Sequence, residues 1–218
     1  VNDFEALTAW IQPRHLSASE VDGYRTNFES RPLRVLHITD FLQADIAARI
    51  ARFLGREATY EQVYALYADY DEERVAADVW RIADKASRYY SLGELTGPDP
   101  RFRLSPNLFT FLNFRKMLAT SAFKAYVSAS TGLPLGDVGK RPTHRMRRGD
   151  LLGPHDDRFP GRRLTFIFYF SPDWKPDYGG ALQIIGKHDE CTEIEATFNS
   201  FLVFDVTTQK SHYGYLEK

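Results

Sequence analysis

Apolar positions along the chain follow a helical period first and a strand period later, with the change near Lys140. Phe4, Leu7 and Ile11 keep a helical spacing that Pro13 closes, and Ser17-Ala18-Ser19-Glu20 reads as a capping box opening a helix toward Phe28. Arg31-Pro32 breaks that helix, and Leu33 to Ile38 reads as a strand. Thr39 or Asp40 caps a helix over Phe41 to Leu54, with Phe41, Ile46, Ile50, Phe53 and Leu54 toward one side and Gly55 at its end. Thr59 to Tyr67 reads as an aromatic strand, and Asp71 to Ala86 as a helix carrying Val75, Val79, Trp80 and Ile82 among charges. Gly93, Gly97, Pro98 and Pro100 make Gly93 to Pro100 the best hinge or linker. Ser105-Pro106 places an N-cap and an N1 proline before a helix running to Leu118, and a further helix, Ser121 to Ser130, stops at Thr131-Gly132.

Beyond Lys140, strands and turns take over. Arg162 to Phe170 is aromatic and branched, as a buried strand should be, and the turn Asp177-Tyr178-Gly179-Gly180 precedes a short strand from Ala181 to Ile185. Asn199-Ser200 opens the apolar run Phe201 to Phe204. Helices followed by strands argue an α+β fold. Residues 1–139 then form a mainly helical part packing on a β-rich part at 140–218, the two making one structural domain.

A length of 218 residues suffices for a sizeable core, and 14% aromatics favour a packed β-rich interior. The net charge of −1 leaves no basic excess to drive phosphate-backbone binding, so nucleic acid is not an expected partner. One cysteine, Cys191, excludes a disulfide within the chain and fits a reducing, cytoplasmic setting. No apolar run approaches the roughly 20 residues of a membrane span, and no charged-then-apolar leader opens the chain. Oligomeric state is not legible.

Candidate chemistry centres on Gly149-Asp150-Leu151-Leu152-Gly153-Pro154-His155-Asp156-Asp157. In an extended H-x-D, residues i and i+2 share a face, so His155 and Asp157 can converge on one cation. One further histidine completes a two-His, one-carboxylate triad, a set that suits non-haem Fe(II). The order H-x-D at His155, R-x-L-x-x-x-x-Y at Arg162 to Tyr169, P-D-W at Pro172 to Trp174, G-G at Gly179-Gly180, N-S-x-x-x-F-D from Asn199 and S-H at Ser211-His212 closely resembles the prolyl-4-hydroxylase-like branch of the 2-oxoglutarate/Fe(II) dioxygenases. The resemblance is specific from about Arg145 to His212 and loose before that.

That resemblance implies a double-stranded β-helix, a jelly-roll-like barrel braced by the N-terminal helices, with the metal in its mouth. It implies His155, Asp157 and His212 as iron ligands and catalytic residues, Tyr169 as a contact to the distal carboxylate of 2-oxoglutarate, and Fe(II), 2-oxoglutarate and O2 as cofactor and co-substrates. Relatives also carry a 2-oxoglutarate-binding Arg about ten residues past the distal His, which expects either a continuation of the chain bringing an Arg about four residues beyond Lys218 or a substitute such as Arg163. Where relatives have Tyr before the G-D pair, this chain has Met146.

Other residues draw plainer readings. Asp156 is a solvated neighbour, Arg145, Arg147 and Arg148 a solvated edge, Trp174 a packing anchor, and Cys191 a small apolar residue without a His partner. Arg162 has a fork that fits a substrate carboxylate, although arginines at a strand start are ordinarily surface charges. The implied activity is hydroxylation of an unactivated C–H, with release of succinate and CO2. Near-zero net charge tilts the substrate toward a free amino acid or small metabolite, ahead of a peptidyl-prolyl residue. A non-catalytic ligand-binding barrel is the reading from another class.

Overall fold

The structure, a computed structural model, describes residues 4–68, 72–158 and 160–215, without side chains beyond Gln209. After short 3-10 turns at Glu5–Leu7 and Pro13–Leu16, helix α1 (Ala18–Ser30) starts where the capping box places it, the Ser17 hydroxyl accepting from Glu20 N at 3.3 Å. Strand β1 (Val35–Ile38) and helix α2 (Ala44–Arg52) follow, α2 running on into a wider turn, Phe53–Glu57, that absorbs Gly55. Helix α2 is capped by neither Thr39 nor Asp40: its N-cap is Gln43, without a side-chain bond.

Then come β2 (Ala58–Tyr67), β3 (Glu72–Arg74), a six-residue helix α3 (Ala77–Ile82) and β4 (Arg88–Pro98). Two expectations fail here. The helix over 71–86 survives only as α3, because Glu72–Arg74 pairs with Ala65–Tyr67 and Val75 N donates to Tyr64 O at 3.0 Å, so the edge of a sheet outbids local helical propensity. The Gly93–Pro100 hinge lies mostly within β4, which pairs with β2 along its whole length. Gly93 serves close approach, since an added Cβ would sit 3.3 Å from the Arg145 carbonyl, and Gly97 holds φ +146°.

Helix α4 (Pro106–Met117) opens on Ser105, whose hydroxyl accepts from Asn107 N at 3.1 Å, and α5 (Ser121–Thr131) ends on Gly132 at φ +69°. The strands β5 (His144–Arg145), β6 (Leu151–His155), β7 (Leu164–Tyr169), β8 (Leu182–Gly186), β9 (Cys191–Ile194), β10 (Ser200–Asp205) and β11 (Gln209–Tyr215) complete the order. A minor sheet runs β1-β10-β7 and a major sheet runs β3-β2-β4-β6-β11-β8-β9, with β5 beside β4 and all pairs antiparallel. The major sheet therefore draws β2, β3 and β4 from before residue 140.

Alternation along the minor sheet fixes the layers. Phe166, Phe168, Phe201, Val203, Leu36 and Ile38 pack against the helices, with Phe41, Phe111, Phe114 and Phe123. Ile167, Tyr169, Leu202, Phe204 and Val35 face the other way and meet Leu182, Ile184 and Ile194 of the major sheet. The helical side is a mesh of rings, with Phe41–Phe201 centroids 4.7 Å apart, Phe168–Phe201 4.9 Å and Phe114–Phe168 5.0 Å.

Asn199 ties these layers together. At φ +56° and 5% exposed, its Oδ1 accepts from Leu42 N at 3.0 Å and its Nδ2 donates to Leu42 O at 2.9 Å, while its own N–H donates to Tyr169 O. Asn199→Ala strips the partners from the buried N–H and C=O of Leu42 and should cost about 2–4 kcal/mol, read as a lower urea midpoint with an unchanged slope.

Stability should also fall in mild acid. Burial lowers the pKa of His15, against the raising effect of its bond to the Asp40 carbonyl, and burial lowers that of His37 against the charge of Glu195. Both imidazoles thus bind protons more readily unfolded than folded, so their contribution is intact above the unfolded value near 6.5 and is lost as pH drops below it. Urea midpoints at pH 7.5 and 5.5 should show this drop, and His15→Gln should flatten it.

Candidate metal and co-substrate site

Strand β6 delivers the first ligand candidates, and Asp150 pins its start. This carboxylate, 7% exposed, accepts from Gln62 Nε2 at 2.7 Å, Ser91 Oγ at 3.2 Å and Arg147 N at 2.6 Å, joining β6 to β2 and β4. Gly153 is obligatory three residues on: an added Cβ would collide with the Tyr67 hydroxyl and press on the Tyr89 carbonyl. The strand then presents His155, with Asp157 two positions beyond.

The tautomer of His155 follows from its partner. Nδ1 lies 3.0 Å from the Gly153 carbonyl, which only accepts, so Nδ1 carries the proton and the ring lone pair belongs to Nε2. Asp157 is oriented by Thr165 at the start of β7, whose Oγ1 donates to Oδ2 at 2.7 Å. Arg162 stands 3.1 Å from the other oxygen, Oδ1, so positive charge already faces this carboxylate.

The backbone places the third candidate. In the β6–β11 ladder His212 is the direct partner of His155, and on its other side it is the partner of Ile184 in β8. Direct antiparallel partners share a sheet face, and Ile184 belongs to the inner face packed against the minor sheet. Residues 155 and 212 thus hold one register position on the side of the major sheet that looks inward. The His212 side chain lies outside the described ones, and among the described residues no three His, Cys, Asp or Glu side chains group together.

Tyr169 sits on the same inter-sheet space: its Cα partner is Ser200, and it packs with Ile167 against the core that contains Leu182 and Ile184. Burial raises its phenol pKa far above the ordinary value, so the hydroxyl stays a proton donor across the physiological range. Arg163 is not brought to it. It lies six positions away, roughly 20 Å along an extended strand, and its guanidinium pairs with the fully buried Asp205, NH2 to Oδ2 at 3.0 Å. The stretch expected to continue beyond Lys218 lies outside the described residues.

Several plainer readings can be placed. Asp156 pairs with Arg158 at 2.6 Å, and Trp174 Nε1 donates to the Gly179 carbonyl at 2.8 Å, closing its turn. Cys191 is exposed, unlike the small apolar residue expected. Three contributors were invisible in the sequence: Thr165, Tyr67 and Tyr89. The rings of Tyr67 and Tyr89 lie 4.9 Å apart, and Tyr89 meets His155 edge-on at 5.7 Å. No local motif marks them, because pairing of β2 with β4 is what brings them to the ligand strand.

The donor set fits Fe(II): an imidazole presenting Nε2, a carboxylate, and a second histidine at the facing register position. A family model described as the 2OG-Fe(II) oxygenase superfamily matches residues 142–217. Prolyl 3-hydroxylase sudestada1 of Drosophila melanogaster is 34% identical over 76 residues, covering 29% of this chain and 14% of that protein. Prolyl 3-hydroxylase OGFOD1 of Mus musculus is 27% identical over 96 residues, covering 41% and 18%. The chain thus spans less than a fifth of the length of these relatives.

Among solved structures, a Pseudomonas putida prolyl-4-hydroxylase superposes with TM-score 0.55 at 15% identity, covering 91% of this chain and 92% of that one. A prolyl hydroxylase from Trichoplax adhaerens, in complex with a hypoxia inducible factor oxygen degradation domain peptide fragment, gives 0.57 at 14% identity over 94% and 87%. The two facing sheets with helices on one outer face are therefore the double-stranded β-helix that the motif order implied.

Thr165 offers a test of the site that leaves the ligands alone. Thr165→Val keeps the shape but removes the bond to Asp157, and should weaken Co(II) binding about 10- to 100-fold, with Thr165→Ser restoring it. Calorimetric titration of the metal-free protein checks this. Equal affinity in parent and Val variant would deny Thr165 any part in orienting the carboxylate.

Proposed function

We propose that this chain, which carries the 2OG-Fe(II) oxygenase signature over residues 142–217, is a dioxygenase that hydroxylates an unactivated C–H with consumption of 2-oxoglutarate. One observation carries the reading: His212 is the cross-strand partner of His155, with Asp157 two residues beyond it. Its His155, Asp157 and His212 would hold Fe(II), which when bound supplies the O2-dependent oxidation coupled to decarboxylation of 2-oxoglutarate.

The protein's own residues supply the rest. Gly153 fixes the His155 tautomer, and Thr165 holds one oxygen of Asp157. Tyr169, held protonated, donates a hydrogen bond to the distal carboxylate of 2-oxoglutarate. Leu182, Ile184, Leu202 and Phe204 make the surrounding wall apolar and keep water from the reacting centre.

For the substrate we favour a prolyl residue of a peptide over a free amino acid. The support is that two relatives similar to part of this chain are named prolyl 3-hydroxylases, and that one structure of the same fold holds a peptide. Low net charge, which suggested a small metabolite, is equally compatible with a neutral peptide backbone. Among the described residues no helix is long and apolar enough to cross a membrane. An exposed, unpaired Cys191 is in keeping with a reducing compartment.

Purified protein given Fe(II), 2-oxoglutarate and ascorbate should release succinate. Asp157→Ala should lower that release by about 100-fold or more while leaving the thermal unfolding transition in place, because a rim ligand carries little of the core. His155→Ala should weaken Co(II) binding by a similar factor. No succinate from the parent under these conditions would leave a ligand-binding barrel as the better description.

A further inference from the structure

The rings of Tyr67 and Tyr89 form a wall on β2 and β4 beside the strand that carries His155. Tyr67 lies 39% exposed, its ring 4.9 Å from that of Tyr89 and inclined by 31°. Its hydroxyl donates to the Pro154 carbonyl at 2.7 Å, which holds the ring upright beside the ligand strand. Gly153 has no side chain there, so the Tyr67 hydroxyl reaches the backbone next to His155. Tyr89 in turn touches the His155 ring, so the wall runs from solvent to a ligand candidate.

What such a wall accepts follows from what it offers. The Tyr67 hydroxyl is engaged, leaving ring faces, whose negative quadrupole favours polarised C–H groups of a saturated ring. The charges that act on Tyr89 are already engaged, Glu72 by the Tyr90 hydroxyl at 2.8 Å and Asp157 by Arg162 at 3.1 Å. A zwitterionic amino acid would have to break such pairs to find partners for both its charges. A prolyl residue within a peptide carries neither charge, and its extended left-handed conformation is set before binding.

We propose that Tyr67 and Tyr89 are specificity-determining residues that seat the pyrrolidine ring of a prolyl residue in an extended peptide beside His155. This deepens the dioxygenase reading and rests on it for the identity of the site.

Poly-L-proline and free L-proline are the probes, titrated calorimetrically into protein loaded with Co(II) and 2-oxoglutarate. Tyr89→Leu and Tyr67→Leu should each weaken poly-L-proline binding about ten-fold or more, whereas Tyr67→Phe, which keeps the ring, should stay within about two-fold. Half-exposed Tyr67 gives a variant that folds even where Tyr89→Leu does not. Co(II) affinity measured on the same samples should not move.

Unchanged peptide affinity in the Leu variants, a parent that binds no poly-L-proline, or tighter binding of free L-proline would each overturn the proposal. So would a parallel loss of Co(II) affinity, which would make the rings supports of the ligand strand. Succinate release by the iron-loaded parent without added peptide is scored separately. Its absence would sink the dioxygenase reading, while ring-dependent peptide binding would then stand by itself.

Discussion

The site depends on one backbone register, that of β6 against β11. His155 and His212 lie 57 positions apart with four strands between theirs, and only their direct pairing gives them a common face. Side chains alternate along a strand, so a slip of one residue would turn one histidine inward and the other outward. The register is held from both sides. Asp150 fastens the beginning of β6 to Gln62 and Ser91, and β8 fixes β11 by pairing Ile184 with His212. A ladder irregularity between His212 and Gly214 lies just beyond the paired histidines, so the misfit between the strands falls outside the pair.

The minor sheet supplies the opposing wall, and its rigidity comes from being buried on both faces. Phe201 and Phe168 press on the helices while Leu202 and Ile167 press on the major sheet. A strand in that position cannot rotate without exposing one apolar set, which keeps Thr165 within 2.7 Å of Asp157 and Tyr169 inside the inter-sheet space. At the far corner Asp205, fully buried, is matched by Arg163 and Arg34 and by Thr207 N, so its charge is compensated where β10 leaves the sheet. The arginine that strand position nominated for the co-substrate is thus engaged in holding this corner.

The metal-ligand candidates and the Tyr67–Tyr89 pair come from different parts of the chain. The family match spans residues 142–217, which include β6, β7 and β11 with the metal and co-substrate candidates. Tyr67 and Tyr89 lie upstream of it, on strands joined through β3 and α3. The ring pair beside His155 is thus supplied by strands outside the matched segment.

Much of this was already written in the residue order. Ser17, Ser105 and Thr131-Gly132 mark helix ends because a cap is a contact within three residues, and the alternation along β7 marks a strand because its period is local. His155 and Asp157 announce themselves for the same reason, being two residues apart on an extended segment. The 71–86 helix and the Gly93–Pro100 linker read wrongly because both are claimed by β2, whose ladder bonds outweigh local propensity and turn glycines into points of close approach. Arg163 against Asp205, and Tyr67 with Tyr89 beside His155, are contacts between separate strands, and Thr165 meets Asp157 only where the chain turns from β6 into β7. Short-range pattern determines which side chains can meet on one element. Only closure of the two sheets decides which elements face each other, because that choice is made by burial of whole faces.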